Sequence, residues 1–320
     1  MLISIVSDYF YYGELTLPPL NFLYFNLSQD LAVFYGRNRW DYYVTEGIPL
    51  LLTTYTPFAL TAVYYVVSSP PGSGLVPAGL AGSYHSASRA FAMAVIFVII
   101  TLSLISHKEV RFIYPLIPVL HVLTAAQVQR FMQPLSALRK GVLLFLLLAN
   151  ILIAFYTSQI HQRGVIDVID YIRQQHEHKL EIDSLATTSV GFLMPCHSTP
   201  WRSHLIYPGI DAWALTCEPP LGIPLDRRSG YLDEADQFYV DPKTWMQTHM
   251  EDVGIDVPNR ADESIEKRPW PENIVFFEQL ENTVKKELRS SAYRECWRGF
   301  NTHFHDDWRR QGDVILWCRQ

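Results

Sequence analysis

The sequence holds few cysteines and no CxxC pair. The four, Cys196, Cys217, Cys296 and Cys318, all lie in the second half. A cysteine-ligated zinc site is therefore not expected. A disulfide in an oxidising compartment and four free thiols both stay open. Basic charge is short as well: 26 lysines and arginines face 32 acidic residues, for a formal net charge of −6. That balance argues against a nucleic-acid partner. No internal repeat is visible, which disfavours a transporter built from inverted repeats. The opening, MLISIVSDYFYYGE, is too short and too acidic at its far end for a signal peptide. A multi-pass membrane protein would normally carry an insertion signal near its start, yet the first long apolar run begins only at Ile48. A chain starting at the end of an upstream helix is the expectation.

At 320 residues, one or two domains are expected. A hydrophobic content of 49% and a mean hydropathy of +0.05 average over two different halves. Residues 48–157 are apolar and aromatic-rich, whereas residues 158–320 hold most of the acids, histidines and tryptophans. This pattern predicts three parts: a loop segment over 1–47, a membrane domain over 48–157 and a soluble α/β domain over 158–320. A helix crossing the hydrocarbon core needs about 20 mostly apolar residues. Four runs fit: Ile48–Val67, which carries no charge, Ala90–Ile105, Phe112–Phe131 and Gly141–Tyr156. The third contains Pro115, Pro118, His121 and Gln127, so a re-entrant segment shielded by other helices is its alternative.

The connectors are expected at Ser68–Arg89, rich in proline, glycine and serine, and at Gln129–Lys140. Four crossings would put the N-terminal segment, the 107–111 loop and the C-terminal domain on one side. Basic residues mark the cytosolic side, but the two sides hold equal numbers: Arg89, Arg130, Arg139 and Lys140 against Arg37, Arg39, Lys108 and Arg111. Asn26-Leu27-Ser28 is a glycosylation sequon, which agrees with a lumenal start. In the second half, Val165, Ile169 and Ile172 are spaced as on an amphipathic helix over Val165–Gln175. Ser189–Met194, Ala212–Thr216, Ile274–Phe277 and Val314–Trp317 read as short strands, Glu278–Leu288 as a helix, and Val253–Pro271 as a surface loop.

The most informative stretch is Ser106–Pro118, SHKEVRFIYPLIP. Within it His107, Lys108, Glu109 and Arg111 bring three formal charges and an imidazole between two apolar runs. Ionisable groups at a membrane boundary cost free energy unless they are paired, hydrated or used. Arg111 can hold a phosphate through two N–H groups, and Lys108 can act as a point charge. The plainer alternative is a Glu109–Arg111 or Glu109–Lys108 pair that pins a helix end.

His-Lys-Glu-x-Arg-Phe-x-Tyr-Pro resembles the signature of the endoplasmic-reticulum mannosyltransferases that use dolichyl-phosphate mannose, the GPI mannosyltransferases and the related N-glycan precursor enzymes. Tyr11-Tyr12-Gly13, Pro19-Leu20-Asn21-Phe22 and Phe25-Asn26 resemble a lumenal loop of that family. Phe34-Tyr35-Gly36 and Thr45-Glu46-Gly47-Ile48-Pro49 resemble its next block. Met194–Trp201, Thr216–Pro220 and Asp233–Asp236 resemble the branch that adds the third GPI mannose. The resemblance covers nearly the whole chain. It implies a multi-pass α-helical membrane protein of the GT-C type, present here in part, with a lumenal C-terminal α/β domain, in the endoplasmic-reticulum membrane. It also implies an inverting transfer of an α-1,2-linked mannose to the GPI glycolipid precursor, with a lipid membrane as surroundings and no cofactor besides the donor, dolichyl-phosphate mannose. The alternatives are a sister enzyme of N-glycan assembly, a fourth-mannose enzyme, or a non-catalytic membrane fragment or subunit.

Transfer of mannose from a lipid phosphate needs a base for the acceptor proton and cationic groups for the leaving phosphate. The expected substrate-binding residues are His107, Lys108, Glu109, Arg111 and Tyr114, with Asn21 and Trp40 toward the sugar. Aromatic faces at Tyr11, Tyr12, Tyr35 and Trp40, and amides at Asn21 and Asn26, suit sugar contacts, or else the packing of the loop. Arg39-Trp40-Asp41 stands where the family carries a His-Pro-Trp-like block. The family places its key acid in a first lumenal loop, and no matching motif occurs here; Glu109, Glu46 and Asp8 remain, and the catalytic base is unassigned. Cys196 beside His197 lacks an orienting acid, so His197–Trp201 is expected to be a capped turn with a buried tryptophan. His303-x-His305-Asp306-Asp307 lacks a second ligand cluster and is expected, like His176 and His178, to be solvated; no metal is predicted.

Overall fold

Leu2–Tyr12 (α1) and Pro18–Leu23 (α2) open the chain as helices, the second with proline in its first turn, where the missing N–H is not needed. The computed structural model describes residues 2–24, 31–68, 81–251 and 267–319. The Asn26–Ser28 sequon and Phe25-Asn26 lie outside them, as does most of the Val253–Pro271 loop. The chain forms two compact units, Met1–Leu152 and Ile153–Gln320.

Among the described residues, four helical stretches are long and apolar enough to cross a membrane: Tyr43–Ser68, Ser86–Ser103, Val110–Met132 and Ala137–Gln159. The first is not one uninterrupted α-helix. A π turn at Tyr43–Gly47 leads into Ile48–Leu52 (α3), a 3₁₀ turn follows at Thr53–Tyr55, and Thr56–Ser68 (α4) completes it. Thr53 has φ +46° at the break. Its hydroxyl and that of Thr54 both donate to the amide oxygen of Asn150, at 2.8 and 3.0 Å. Such side-chain bonds tie helices together where no water competes.

Two connectors are shorter than the composition predicts. Ala81–Ser103 (α5) is helical from Ala81, so the Ser68–Arg89 loop gives up its last residues. The prolines of that stretch, at 70, 71 and 77, all precede the helix, and alanines at 81, 87 and 90 offset the single glycine, Gly82, of its first turns. Ile117–Met132 (α6) and Ala137–Gln159 (α7) leave a link of four residues, 133–136, in place of Gln129–Lys140. Pro134 breaks the helix there, and Arg139 closes the turn by donating to the carbonyls of Phe131, Gln133 and Pro134. Val110–Leu116 is a 3₁₀ turn that absorbs Pro115, and Pro118 falls in the first turn of α6. The two prolines therefore do not prevent a span.

In the second unit, Gly164–Ile182 (α8) extends the predicted amphipathic helix. Then come Thr188–Leu193 (β1), Trp201–His204 (α9), Ile210–Ala214 (β2), Glu234–Val240 (α10) and Pro242–His249 (α11). Asn273–Phe277 (β3), Glu281–Glu287 (α12), Tyr293–Thr302 (β4) and Gly312–Arg319 (β5) follow. The strands form one sheet in the order β2-β1-β3-β5-β4. β1 runs parallel to β2 and β3, and β5 is antiparallel to β3 and β4. Alternate residues of each strand serve opposite layers. Val190, Phe192, Val275, Phe277, Val314 and Leu316 pack with Val168, Ile169 and Ile172 of α8. Leu193, Ile274, Phe276, Ile315 and Trp317 pack with residues of α10, α11 and α12. Burying each such side chain contributes about 1.5–3 kcal/mol, and helices on both faces make a three-layer α/β/α unit.

Several expectations are corrected here. His176 is not solvated: it is 1% exposed, faces the sheet from α8 and has Nδ1 3.0 Å from the Thr188 hydroxyl. His303 and Asp306 are exposed, as expected of a solvated patch, but the segment is also bonded: His303 has Nδ1 3.0 Å from the Tyr156 hydroxyl, and Asp307 is held by Arg309. Trp201 is half-buried, stacked against Phe192. All four cysteines are bridged, Cys196 to Cys217 and Cys296 to Cys318.

Candidate functional site

The 107–111 stretch leads from the end of α5 into the 3₁₀ turn at Val110–Leu116, which carries Arg111. It is docked on residues 36–38 by reciprocal bonds. The Asn38 amide N–H donates to the carbonyl of Ser106 at 3.1 Å, and the Lys108 N–H donates to Asn38 Oδ1 at 2.8 Å. Gly36 has φ +115°, a conformation that favours glycine, and its carbonyl lies 3.0 Å from His107 Nδ1. Below the loop Tyr43, Ile48, Ile113, Leu116 and Leu120 form an apolar core. Gly47 is in close contact there, since a Cβ would come within 3.2 Å of both Ile113 and Tyr43.

On this platform His107, Glu109 and Arg111 form a chain of contacts. His107 Nε2 lies 3.2 Å from Glu109 Oε1. Arg111 engages both oxygens of the same carboxylate, Nη2 to Oε1 at 2.6 Å and Nε to Oε2 at 2.5 Å. Such forked charge-assisted pairing fixes direction as well as distance. Arg111 remains 67% exposed, so its guanidinium is presented outward. Lys108 points the other way. It is 4% exposed, with Nζ donating to the carbonyl of Ile105 at 2.6 Å and to that of Asn38 at 3.4 Å. Burial, and secondarily the Arg37 guanidinium, lowers its pKa below the ordinary lysine value.

The other expected residues are placed apart from this chain of contacts. Asn21 donates from its amide to the Thr16 hydroxyl at 3.1 Å. Trp40 is 78% exposed, beside an Arg39–Asp41 ion pair. Tyr114 is exposed on the 3₁₀ turn. The residues missed by sequence reasoning are Gly36, as a conformational hinge, and Asn38, as the dock of Lys108. The Tyr35-Gly36 pair marked the place, but nothing in the sequence linked it to a loop some 70 residues on. Among the described residues, Cys196, Cys217 and Asp233 bring potential metal-binding atoms within 4.8 Å of one another. The two sulfurs are bonded to each other, so neither a metal thiolate nor a Cys196 nucleophile is available there.

A loop that joins two candidate spans, buries a lysine and presents an arginine–carboxylate pair is suited to an anionic group at a membrane surface. GPI mannosyltransferase 3 of Emericella nidulans is 47% identical, over 99% of this chain and 51% of that protein. GPI mannosyltransferase 3 of Aspergillus fumigatus is 44% identical, over 99% and 45%. GPI alpha-1,2-mannosyltransferase 3 of Mus musculus is 33% identical, over 98% and 49%. The chain thus spans about half the length of the curated relatives it matches. No solved structure matches it. The model of the Alg9-like mannosyltransferase family matches residues 1–206, well over half of the sequence, and the chain belongs to that family.

Proposed function

We propose that the chain serves in transferring mannose from dolichyl-phosphate mannose to a GPI-anchor precursor, as the α-1,2-linked third mannose. The observation that carries this reading is the outward-facing Arg111, forked onto Glu109 at the mouth of a candidate span. The names of the relatives give the substrate class. In the transfer, the bond between mannose C1 and the phosphate oxygen breaks, and its electron pair leaves with the dolichyl phosphate. The acceptor hydroxyl oxygen bonds to C1 from the opposite face, and its proton passes to a base. Arg111 stabilises the charge that develops on the leaving phosphate, the largest electrostatic need of the step. Glu109, its two oxygens already engaged by Arg111 and His107, orients the guanidinium; the proton acceptor is unassigned. Tyr114, Trp40 and Asn21 are proposed sugar contacts.

We place the C-terminal unit in the lumen of the endoplasmic reticulum, supported by its two disulfides, which persist in oxidising compartments. The reading needs no cofactor beyond the donor. Its test is Arg111→Ala in microsomes carrying the protein. Mannosyl transfer from labelled donor to a GPI precursor should vanish at unchanged protein abundance, and retained transfer would overturn the assignment. Complementation of a yeast strain lacking the third-mannose enzyme tests the acceptor.

A further inference from the structure

The second unit contains a cleft of about 710 Å³ beyond the carboxyl ends of the parallel strands β1 and β2. Open α/β sheets bind ligands at that edge, and small-molecule sites run from about 300 to 1,000 Å³. Two arginine–tryptophan stacks line it. The Arg202 guanidinium lies 4.9 Å from the centre of the Trp201 ring, and that of Arg268 lies 5.1 Å from the Trp213 ring. Arg268 is fixed further by Glu234, whose Oε1 accepts from Nη2 at 2.7 Å. The other oxygen of Glu234 accepts from the amide and the hydroxyl of Thr216, at 2.8 and 2.7 Å. Arg268 Nη1 is buried and has no hydrogen-bond partner. A buried donor left unmade is costly, so an oxygen acceptor from a ligand would relieve it.

The wall of the cleft is held in place. The Cys196–Cys217 bridge joins its two sides, Arg310 Nη2 donates to the carbonyl of Cys196 at 2.6 Å, and His197 has φ +58° at the turn. Charge is balanced around it: Arg202 and Arg268 are matched by Glu218 on the rim and by Glu234. Balanced charge favours a neutral ligand with many hydroxyls over a phosphate. The fixed Arg268 guanidinium with its unpartnered Nη1, the Glu218 carboxylate, and the side chains of Ser198 and Thr199 offer donors and acceptors for vicinal hydroxyls and together fit a sugar.

We propose that this cleft is a carbohydrate subsite that holds sugar residues already present on the acceptor, an inference that rests on the mannosyltransferase reading above. The full chain in detergent would be titrated with mannobiose, and separately with inorganic phosphate, while tryptophan fluorescence is followed. Mannobiose should saturate. Arg268→Lys, which keeps the charge but loses the fork, should weaken it about tenfold, as expected for losing one hydrogen bond to a charged group. If that variant shifts the unfolding midpoint, Thr199→Val decides in its place. In transfer assays, both variants should raise the acceptor KM and leave the donor KM unchanged. Saturation by phosphate alone, by neither probe, or by mannobiose equally in wild type and both variants would overturn the proposal. Transfer without mannobiose binding sinks the cleft and spares the transferase reading. Mannobiose binding without transfer sinks the acceptor assignment and leaves a sugar site.

Discussion

The Lys108 ammonium donates to the carbonyl of Ile105, three residues earlier, at 2.6 Å. This bond turns a cation of the charged loop inward, against the end of a membrane-spanning segment. Lys108→Met should leave the Ile105 carbonyl without its partner and loosen the dock on Asn38. A loss of about 1–3 kcal/mol is expected, read as a lower unfolding midpoint in detergent. Arg111→Ala should barely move that midpoint, because an exposed ion pair contributes about 0–1 kcal/mol. The two variants therefore separate support from chemistry within one loop.

Gly191 of β1 lies under the indole of Trp213. A Cβ there would approach Trp213 to 2.6 Å and Pro271 to 2.9 Å. Gly191→Ala should destabilise the second unit by about 1–3 kcal/mol through overpacking, measured by thermal unfolding.

The Cys196–Cys217 bridge closes a separation of 21 residues. Cys217→Ser should cost about 2–4 kcal/mol. Thiol alkylation with and without reductant should label Cys196 in the variant and neither cysteine in the unreduced wild type. Labelling of Cys196 in the unreduced wild type would show that the bridge is not formed.

Arg309 grips both oxygens of Asp307, Nε to Oδ1 at 2.9 Å and Nη2 to Oδ2 at 3.0 Å, and reaches Asp236 at 2.8 Å. Burial raises the pKa of Asp307, but the bonds from Arg309 outweigh it and hold the group below its ordinary 3.8. A depressed folded-state pKa stabilises above the unfolded value and ceases to do so as pH falls through the folded one. The second unit should therefore lose stability as pH falls below about 4, and Asp307→Asn should shrink that loss. Equal acid sensitivity in wild type and variant, by unfolding midpoints between pH 5 and 3, would remove Asp307 from the account.

What was legible in the sequence follows from which signals are local. The four apolar runs were legible because length and hydropathy suffice. So was α8, from the spacing of Val165, Ile169 and Ile172. The edge strand β4 was not, because Arg294 and Glu295 are exposed and an extra residue at Cys296 breaks the alternation. Partners distant in sequence were also hidden: Glu234 with Arg268, Lys108 with Asn38, and each cysteine with its mate. In the charged loop, residue types gave the chemistry of Arg111 and Glu109, but the same reasoning could not tell that Lys108 faces inward. That direction is set by two carbonyls, and backbone acceptors leave no mark in a sequence.

The place of β5 has a consequence for biosynthesis. This strand comes last along the described chain yet lies inside the sheet, between β3 and β4. As the chain is made, β4 emerges before the strand it pairs with, and the apolar β3 keeps an open edge. Unpaired edges invite association with other chains. The interval before Gly312–Arg319 is synthesised is thus when this unit most needs a chaperone, and slowed translation there should lower its yield without altering the finished protein.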